Sequence, residues 1–338
     1  MRPDPKFPWG ENNPTRGQRL AVALCVATLA ACITFFWSQR HPGIHSDFAL
    51  AWFGGRSLLQ RVDPYPLVGP GQVYNWQWHL VYPATAFVAA IPFAHLSEQG
   101  ASVTFVWIST VLLAYGMTRQ SWHLLPLFVS YSFISSAWLA QWSIIFTASV
   151  FIPRLAFLSI AKPPTALPIV GASPSSETSK FAVIGGVVLT ILSLVLLPGW
   201  PREWLNLARA DANYHVPISA LGGVIVLLVL LRWRRSEAWL VLFVSLMPAT
   251  SGWYNALVIL TIAATYREAC VLSLVSSLGL IGGRYSLLLM DPTTDVNRFV
   301  GAVMIATIYL PAVVVLLRRP NEGEAPAWLR FATGRITQ

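Results

Sequence analysis

Charge is scarce in this chain: of 338 residues only 11% are Asp, Glu, Lys or Arg, while 55% are hydrophobic. An ordinary soluble domain carries about a quarter charged residues. That scarcity excludes a conventional soluble globule. Apolar stretches of helical length recur along almost the whole sequence, so no segment is left for a separate soluble domain. Cysteine is sparse too, and Cys25, Cys32 and Cys270 lack the spacing of a disulfide or metal framework. The P-loop, HExxH, GxSxG and CxxC signatures are missing. So are the alternating short strands of an outer-membrane barrel and the internal inverted repeat that marks many transporters.

What remains is an all-α, polytopic transmembrane pattern in one integral domain, residues 18–317, between short tails at 1–17 and 318–338. The net charge of +9 would point to nucleic acid in a soluble protein. Here Lys and Arg gather at span ends, where the positive-inside rule accounts for them. Arg2, Lys6 and Arg16 put the amino terminus on the cytoplasmic side of a cytoplasmic (inner) membrane of bacterial type. A first span over about 19–38 then places residues 39–80 outside. Leu29-Ala30-Ala31-Cys32 looks like a lipoprotein cleavage box, but the apolar run continues beyond Cys32, so the span is read as retained.

Further apolar runs lie near 81–96, 101–118, 122–138, 140–152, 154–171, 181–198, 217–231, 237–250, 254–266, 269–283 and 298–317, about twelve spans in all, with ten or eleven also fitting. Several are shorter than the ~20 residues needed to cross, so tilted, broken or re-entrant segments are expected among them. With twelve spans, Arg232, Arg234, Arg235, Arg267, Arg318 and Arg319 all fall inside, as does the carboxyl terminus, and the loops 39–80, 199–216 and 284–297 fall outside.

The first outer loop concentrates acids, arginines and aromatics. Ser46 can cap a helix beginning at Asp47, and the sequence through Arg56 is apolar nearly all round, which suits a helix lying in the membrane interface. At the amino end of that helix Asp47 is held ionised by the dipole, as a cap or as a group able to accept a proton. Asp63-Pro64-Tyr65-Pro66 reads as a turn. Arg56 and Arg61, on the outer side, point to a phosphate or carboxylate partner, or to a salt bridge with Asp47 or Asp63. Lys162 is embedded in an apolar run beside Pro163 and Pro164. A charge there is costly unless paired or solvated, and the broken helix can line a cavity around it, although a snorkelling lysine at a span end has the same composition. Gln141, Arg154 and His215 are weaker candidates, as is an Asp291/Asp295 cation site, and no metal ligand set emerges.

The order of these motifs resembles that of the GT87 family of GT-C polytopic membrane glycosyltransferases, which includes polyprenyl-phosphate-mannose-dependent mannosyltransferases and arabinofuranosyltransferases. The matching features are His45-Ser46-Asp47-Phe48, Arg56, Asp63-Pro64-Tyr65, Tyr82-Pro83, Ala140-Gln141 where the family tends to have Gly-Gln, and Lys162-Pro163. They cover residues 18–235. Departures are Gly54-Gly55, which weakens the loop helix, Ala84 where a second proline is common, and a short chain.

The resemblance implies a GT-C-like fold and an inverting transferase that moves mannose or another hexose or pentose from a polyprenyl-phosphate sugar to a glycan or glycolipid acceptor on the outer face. Asp47 would be the general base, with Arg56, Lys162 and Arg154 on the donor phosphate, and no cofactor or metal is needed. His45, Asp63, Tyr65, Tyr82, Gln141 and His215 are further candidates. A transporter or lipid flippase, or a silent accessory subunit of a membrane complex, fits the same composition.

Overall fold

The computed structural model describes residues 14–76, 79–119, 121–210, 216–248, 253–289 and 296–333. Helix makes up 74% of it and strand 1%. Among the described residues four helices are long and apolar enough to cross a membrane: Arg16–Arg40, Glu98–Met117, Ser176–Leu196 and Phe299–Leu317. Apart from the run inside the 24-residue helix Tyr266–Leu289, the other apolar runs fold as shorter pieces, and the reasons for their breaks bear on the site.

Helix α1 (Arg16–Arg40) opens with a capping box, in which Thr15 Oγ1 accepts from the Gln18 amide and Gln18 Oε1 accepts from the Thr15 amide. Helix α2 (Asp47–Leu59) is capped by Ser46 Oγ, which accepts from the Ala49 amide at 3.2 Å. Instead of lying on a surface, α2 is buried over most of its circumference, with Phe48, Ala49, Leu50, Ala51 and Trp52 all inside and Arg56 exposed.

Close packing of α2 on α3 (Ala84–Ala90) depends on the glycine pair. A Cβ at Gly54 would lie 2.3 Å from the Phe87 ring, and one at Gly55 would lie 2.8 Å from the Phe87 carbonyl oxygen. The residues that read as weakening the helix are therefore what allow the two helices to touch.

The run 81–96, expected as a span, forms only α3 and the 3-10 turn Ile91–Phe93. Its two ends stay at the same end of the bundle, since Tyr82 bonds Asp47 while Glu98, just beyond, bonds His45. Helix α4 (Glu98–Met117) runs antiparallel to α1: Gln39 Nε2 donates to Gln99 Oε1 at 3.2 Å, and Arg19 Nη2 to the Tyr115 carbonyl at 2.6 Å. Small buried residues on α1, Ala23, Ala27, Ala30 and Thr34, permit this approach. Helix α5 (Tyr131–Trp138) returns along α1, with Thr34 Oγ1 donating to the Ala137 carbonyl at 2.8 Å.

After α6 (Ser143–Ser149), the run 154–171 breaks at Lys162 into a 3-10 segment, Pro153–Ala161, and α7 (Pro163–Ala172). Pro163 and Pro164 have no amide to continue the ladder. Arg154, at the start of the first arm, pairs with Glu177, and Gly171, near the end of the second, accepts from Trp328. The Arg154 arm runs alongside α8 (Ser176–Leu196), bringing Ile160 within 3.9 Å of a Cβ position at Gly186, halfway along that helix. This segment also fails to pass from one end of the bundle to the other. The two reversals cancel, so the basic clusters after it still share the end carrying the start of α1.

Helix α9 (Trp200–Ala210) lies over the Asp47 end, its Trp204 Nε1 donating to the Val81 carbonyl at 2.8 Å. The chain is completed by α10 (Ser236–Leu246), α11 (Tyr266–Leu289), α12 (Val296–Met304), α13 (Leu310–Leu317) and α14 (Ala327–Ala332). At the opposite end, arginines cap carbonyls and bridge acids: Arg232 donates to the Arg319 and Leu317 carbonyls, and Arg319 pairs with Glu268 and Glu237.

Candidate functional site

Asp47 and three side chains from separate elements form one cluster. Lys162 Nζ donates to Asp47 Oδ2 at 2.5 Å and to Gln141 Oε1 at 3.1 Å. The Tyr82 hydroxyl donates to the same Asp47 oxygen, and the lysine ammonium lies 5.2 Å from the Tyr82 ring centroid. The Asp47 and Lys162 side chains are each 20% exposed, while Gln141 and Tyr82 are buried. A carboxylate and an ammonium largely withdrawn from water require each other, and the two neutral partners add a hydrogen bond each.

Each member is positioned by local chemistry. Asp47 occupies the first position of α2, and its own amide donates to the Leu139 carbonyl at 2.8 Å, which ties the start of α2 to the end of α5. Gln141 follows a Schellman-type turn: the Gln141 amide donates to the Ser136 carbonyl and the Ala140 amide to the Ala137 carbonyl. Ala140 there has φ +47°, a left-handed conformation that glycine adopts with less strain. Lys162 stands at the vertex between two helical arms, with φ −142° and ψ 77°.

Tyr82 is set by the preceding loop. The Tyr65 hydroxyl donates to the Tyr82 carbonyl at 3.0 Å, and Asp63 Oδ1 accepts from the Tyr65 amide at 3.0 Å, closing the turn read from Asp63-Pro64-Tyr65. Burial and the nearby Asp63 and Glu203 carboxylates raise the Tyr65 hydroxyl pKa well above the usual phenol range, so it stays a donor. A short parallel pair, β1 (Val68–Gly69) with β2 (Tyr74–Asn75), closes the loop beyond it. Thr85 Oγ1 donates to the Ile160 carbonyl at 2.7 Å, linking the start of α3 to the arm that carries Lys162.

The remaining candidates lie elsewhere. Arg56 is nine residues beyond Asp47 on α2, half a turn round and about 13 Å along the helix; it is exposed, with its guanidinium 5.6 Å from the Trp52 ring centroid. Arg154, expected near the outer end of its run, sits beside Glu177 with 77% of its side chain exposed, at the far end of the 3-10 segment from Lys162. His45 pairs through Nδ1 with Glu98 Oε1 at 2.7 Å, and its ring lies 4.2 Å from that of Tyr74 at a 35° tilt. His215, Asp291 and Asp295 lie outside the described residues.

Two acids escaped the sequence reading. Glu98 follows the Ser97 cap of α4 and reads as an ordinary first-turn acid, yet it holds His45 and faces Tyr74. Glu203, in the stretch Trp200-Pro201-Arg202-Glu203-Trp204, meets Asp63, and burial together with a hydrogen bond and repulsion between the two carboxyls raises its pKa. Neither contact has a local signal, because the partners are far apart in sequence.

Among the described residues no group of three or more His, Cys, Asp or Glu side chains is arranged to hold a metal ion. The cluster offers one carboxylate, one ammonium, one phenol and one amide, a set able to accept a proton from a hydroxyl and to bind an anion. Set against family models, curated proteins and solved structures, the chain has no match, and no family is shown for it.

Proposed function

We propose that the protein is a membrane glycosyltransferase that moves a sugar, mannose or another hexose or pentose, from a polyprenyl-phosphate donor to an acceptor hydroxyl on the outer side of a bacterial cytoplasmic membrane. The arginine-rich end is the cytoplasmic side and the Asp47 end faces out, consistent with the positive-inside bias. The observation that carries this reading is the Asp47–Lys162 pair, braced by Tyr82 and Gln141. An embedded ion pair at a break between helices is costly to build and marks a functional position.

In the free protein Lys162 occupies Asp47 Oδ2. The donor phosphate competes for that ammonium with charge-assisted hydrogen bonds and draws it away from the carboxylate. Asp47, still oriented by Tyr82, then accepts the acceptor hydroxyl proton as that oxygen attacks the anomeric carbon. The bond from that carbon to the phosphate oxygen breaks on the opposite face, inverting the configuration, and the polyprenyl phosphate departs with its charge on Lys162. One carboxylate suffices because the phosphate needs no protonation to leave. Arg56 and Arg154 have no part in this scheme.

The test is transfer from a radiolabelled polyprenyl-phosphate sugar by membranes containing the wild type and Asp47→Asn. Transfer by the wild type alone supports the reading. Absence of transfer by the wild type, or equal transfer by both, refutes it. A lysine-aspartate pair beside a broken helix also suits a carrier; solute counterflow retained by Asp47→Asn would favour that second reading.

A further inference from the structure

A polar cavity of about 250 Å³ opens at the same end of the bundle on the other side of the Ser46 cap, between the end of α1 and the start of α4. Asp47, Tyr82, Gln141 and Lys162 do not line it. One wall is aromatic: His41 stacks on Trp37 at 3.9 Å, and Trp37 on Trp138 at 4.9 Å with 16° between the planes. The polar part of the lining pairs donors with acceptors, namely the amides of Gln39 and Gln99, the Glu98 carboxylate with its His45 partner, and the Ser46 and Ser102 hydroxyls, which bond each other at 2.7 Å.

We propose that this cavity is a second binding site, for a neutral polyhydroxylated group, a sugar ring in chemical class. Closely spaced hydroxyls that both donate and accept match the carboxylate, amide and serine groups of the lining. An anion is disfavoured because the lining contains the Glu98 carboxylate and neither lysine nor arginine. A quaternary ammonium needs open ring faces around it, and here the faces of Trp37 are taken up by His41 and Trp138. Ser46 belongs both to this cavity and to the cap that starts the helix at Asp47, so the two sites share a wall without sharing a ligand.

The site is independent of the transfer chemistry, and its test reads binding alone. Full-length protein in nanodiscs is titrated with methyl α-mannoside and methyl β-glucoside by saturation-transfer NMR, and separately reconstituted with monoglucosyl diacylglycerol, whose retention is read by native mass spectrometry. Saturable binding of a methyl glycoside identifies a free-sugar site, and retention of the glycolipid with no glycoside binding identifies a headgroup site; either supports the proposal. Binding should weaken about tenfold or more in Glu98→Gln, which loses a charged acceptor, and in Gln99→Ala, and stay unchanged in the distant Arg154→Ala. Thermal unfolding of each variant separates loss of the site from loss of the fold, and Gln99→Ala, on a half-buried side chain, keeps the test open if Glu98→Gln misfolds. No saturable binding by the wild type, or binding insensitive to both cavity variants, overturns the proposal.

Discussion

The two ends of the bundle handle charge in opposite ways. At the arginine-rich end, Arg232 and Arg235 donate to backbone carbonyls at chain turns, and Arg319 bridges two acids. These contacts tie helix ends together, as basic residues commonly do there. At the other end a single lysine, 162, reaches an aspartate 115 positions away in sequence and also donates to a glutamine side chain. The first arrangement holds the fold. The second is centred on one oxygen that a ligand can contest.

Removing one member of the Lys162 pair separates the two regions most sharply. Lys162→Ala leaves the Asp47 carboxylate enclosed without a cation, so it should abolish transfer and lower stability by about 3 kcal/mol in thermal unfolding. Adding Asp47→Asn should restore much of the stability without restoring activity. Stability unchanged in the single variant would put the pair in the same class as an exposed salt bridge.

Gly55→Leu tests the scaffold under the site. The new side chain runs into the Phe87 backbone, and overpacking of this kind costs about 1–3 kcal/mol, with transfer lost as α2 shifts. Gly17→Ala, in a position with open space around it, should leave both stability and activity in place. At the other end, Arg319→Gln should cost about 1 kcal/mol, because the side chains of its acid partners are 26% and 34% exposed, and should spare transfer per folded molecule. Equal loss of activity in Arg319→Gln and Lys162→Ala would erase the contrast between the ends.

The smallest effect concerns pH. Glu203 has a raised pKa in the folded protein, so its protonated form favours the docked state. That stabilisation is complete below the ordinary glutamate range and is lost as pH rises through the raised value. Protection of α9 against hydrogen exchange should therefore fall from acid towards neutral pH in the wild type, and vary less in Glu203→Gln.

Much of this was legible in the sequence, in uneven parts. Asp47, Tyr82, Gln141 and Lys162 each carry a local sign, respectively a helix start, a Tyr-Pro junction, a glutamine at a span start and a lone embedded lysine. Their convergence carries none, since composition does not record which apolar runs reverse. Hydropathy cannot tell a crossing from a pair of half-length arms, so 81–96 and 154–171 read as spans although Tyr82 with Glu98, and Arg154 with Gly171, mark turns back to the same end. The glycine pair at 54 and 55 reads as helix weakness because the ring and carbonyl of Phe87 belong to a different helix.

The most direct test of the central claim is the rate of sugar transfer in wild-type and Asp47→Asn membranes carrying equal amounts of folded protein. If Asp47 is the base, the variant should lose a factor of about 10²–10⁴ while still retaining the labelled donor. Transfer at the wild-type rate would contradict the account.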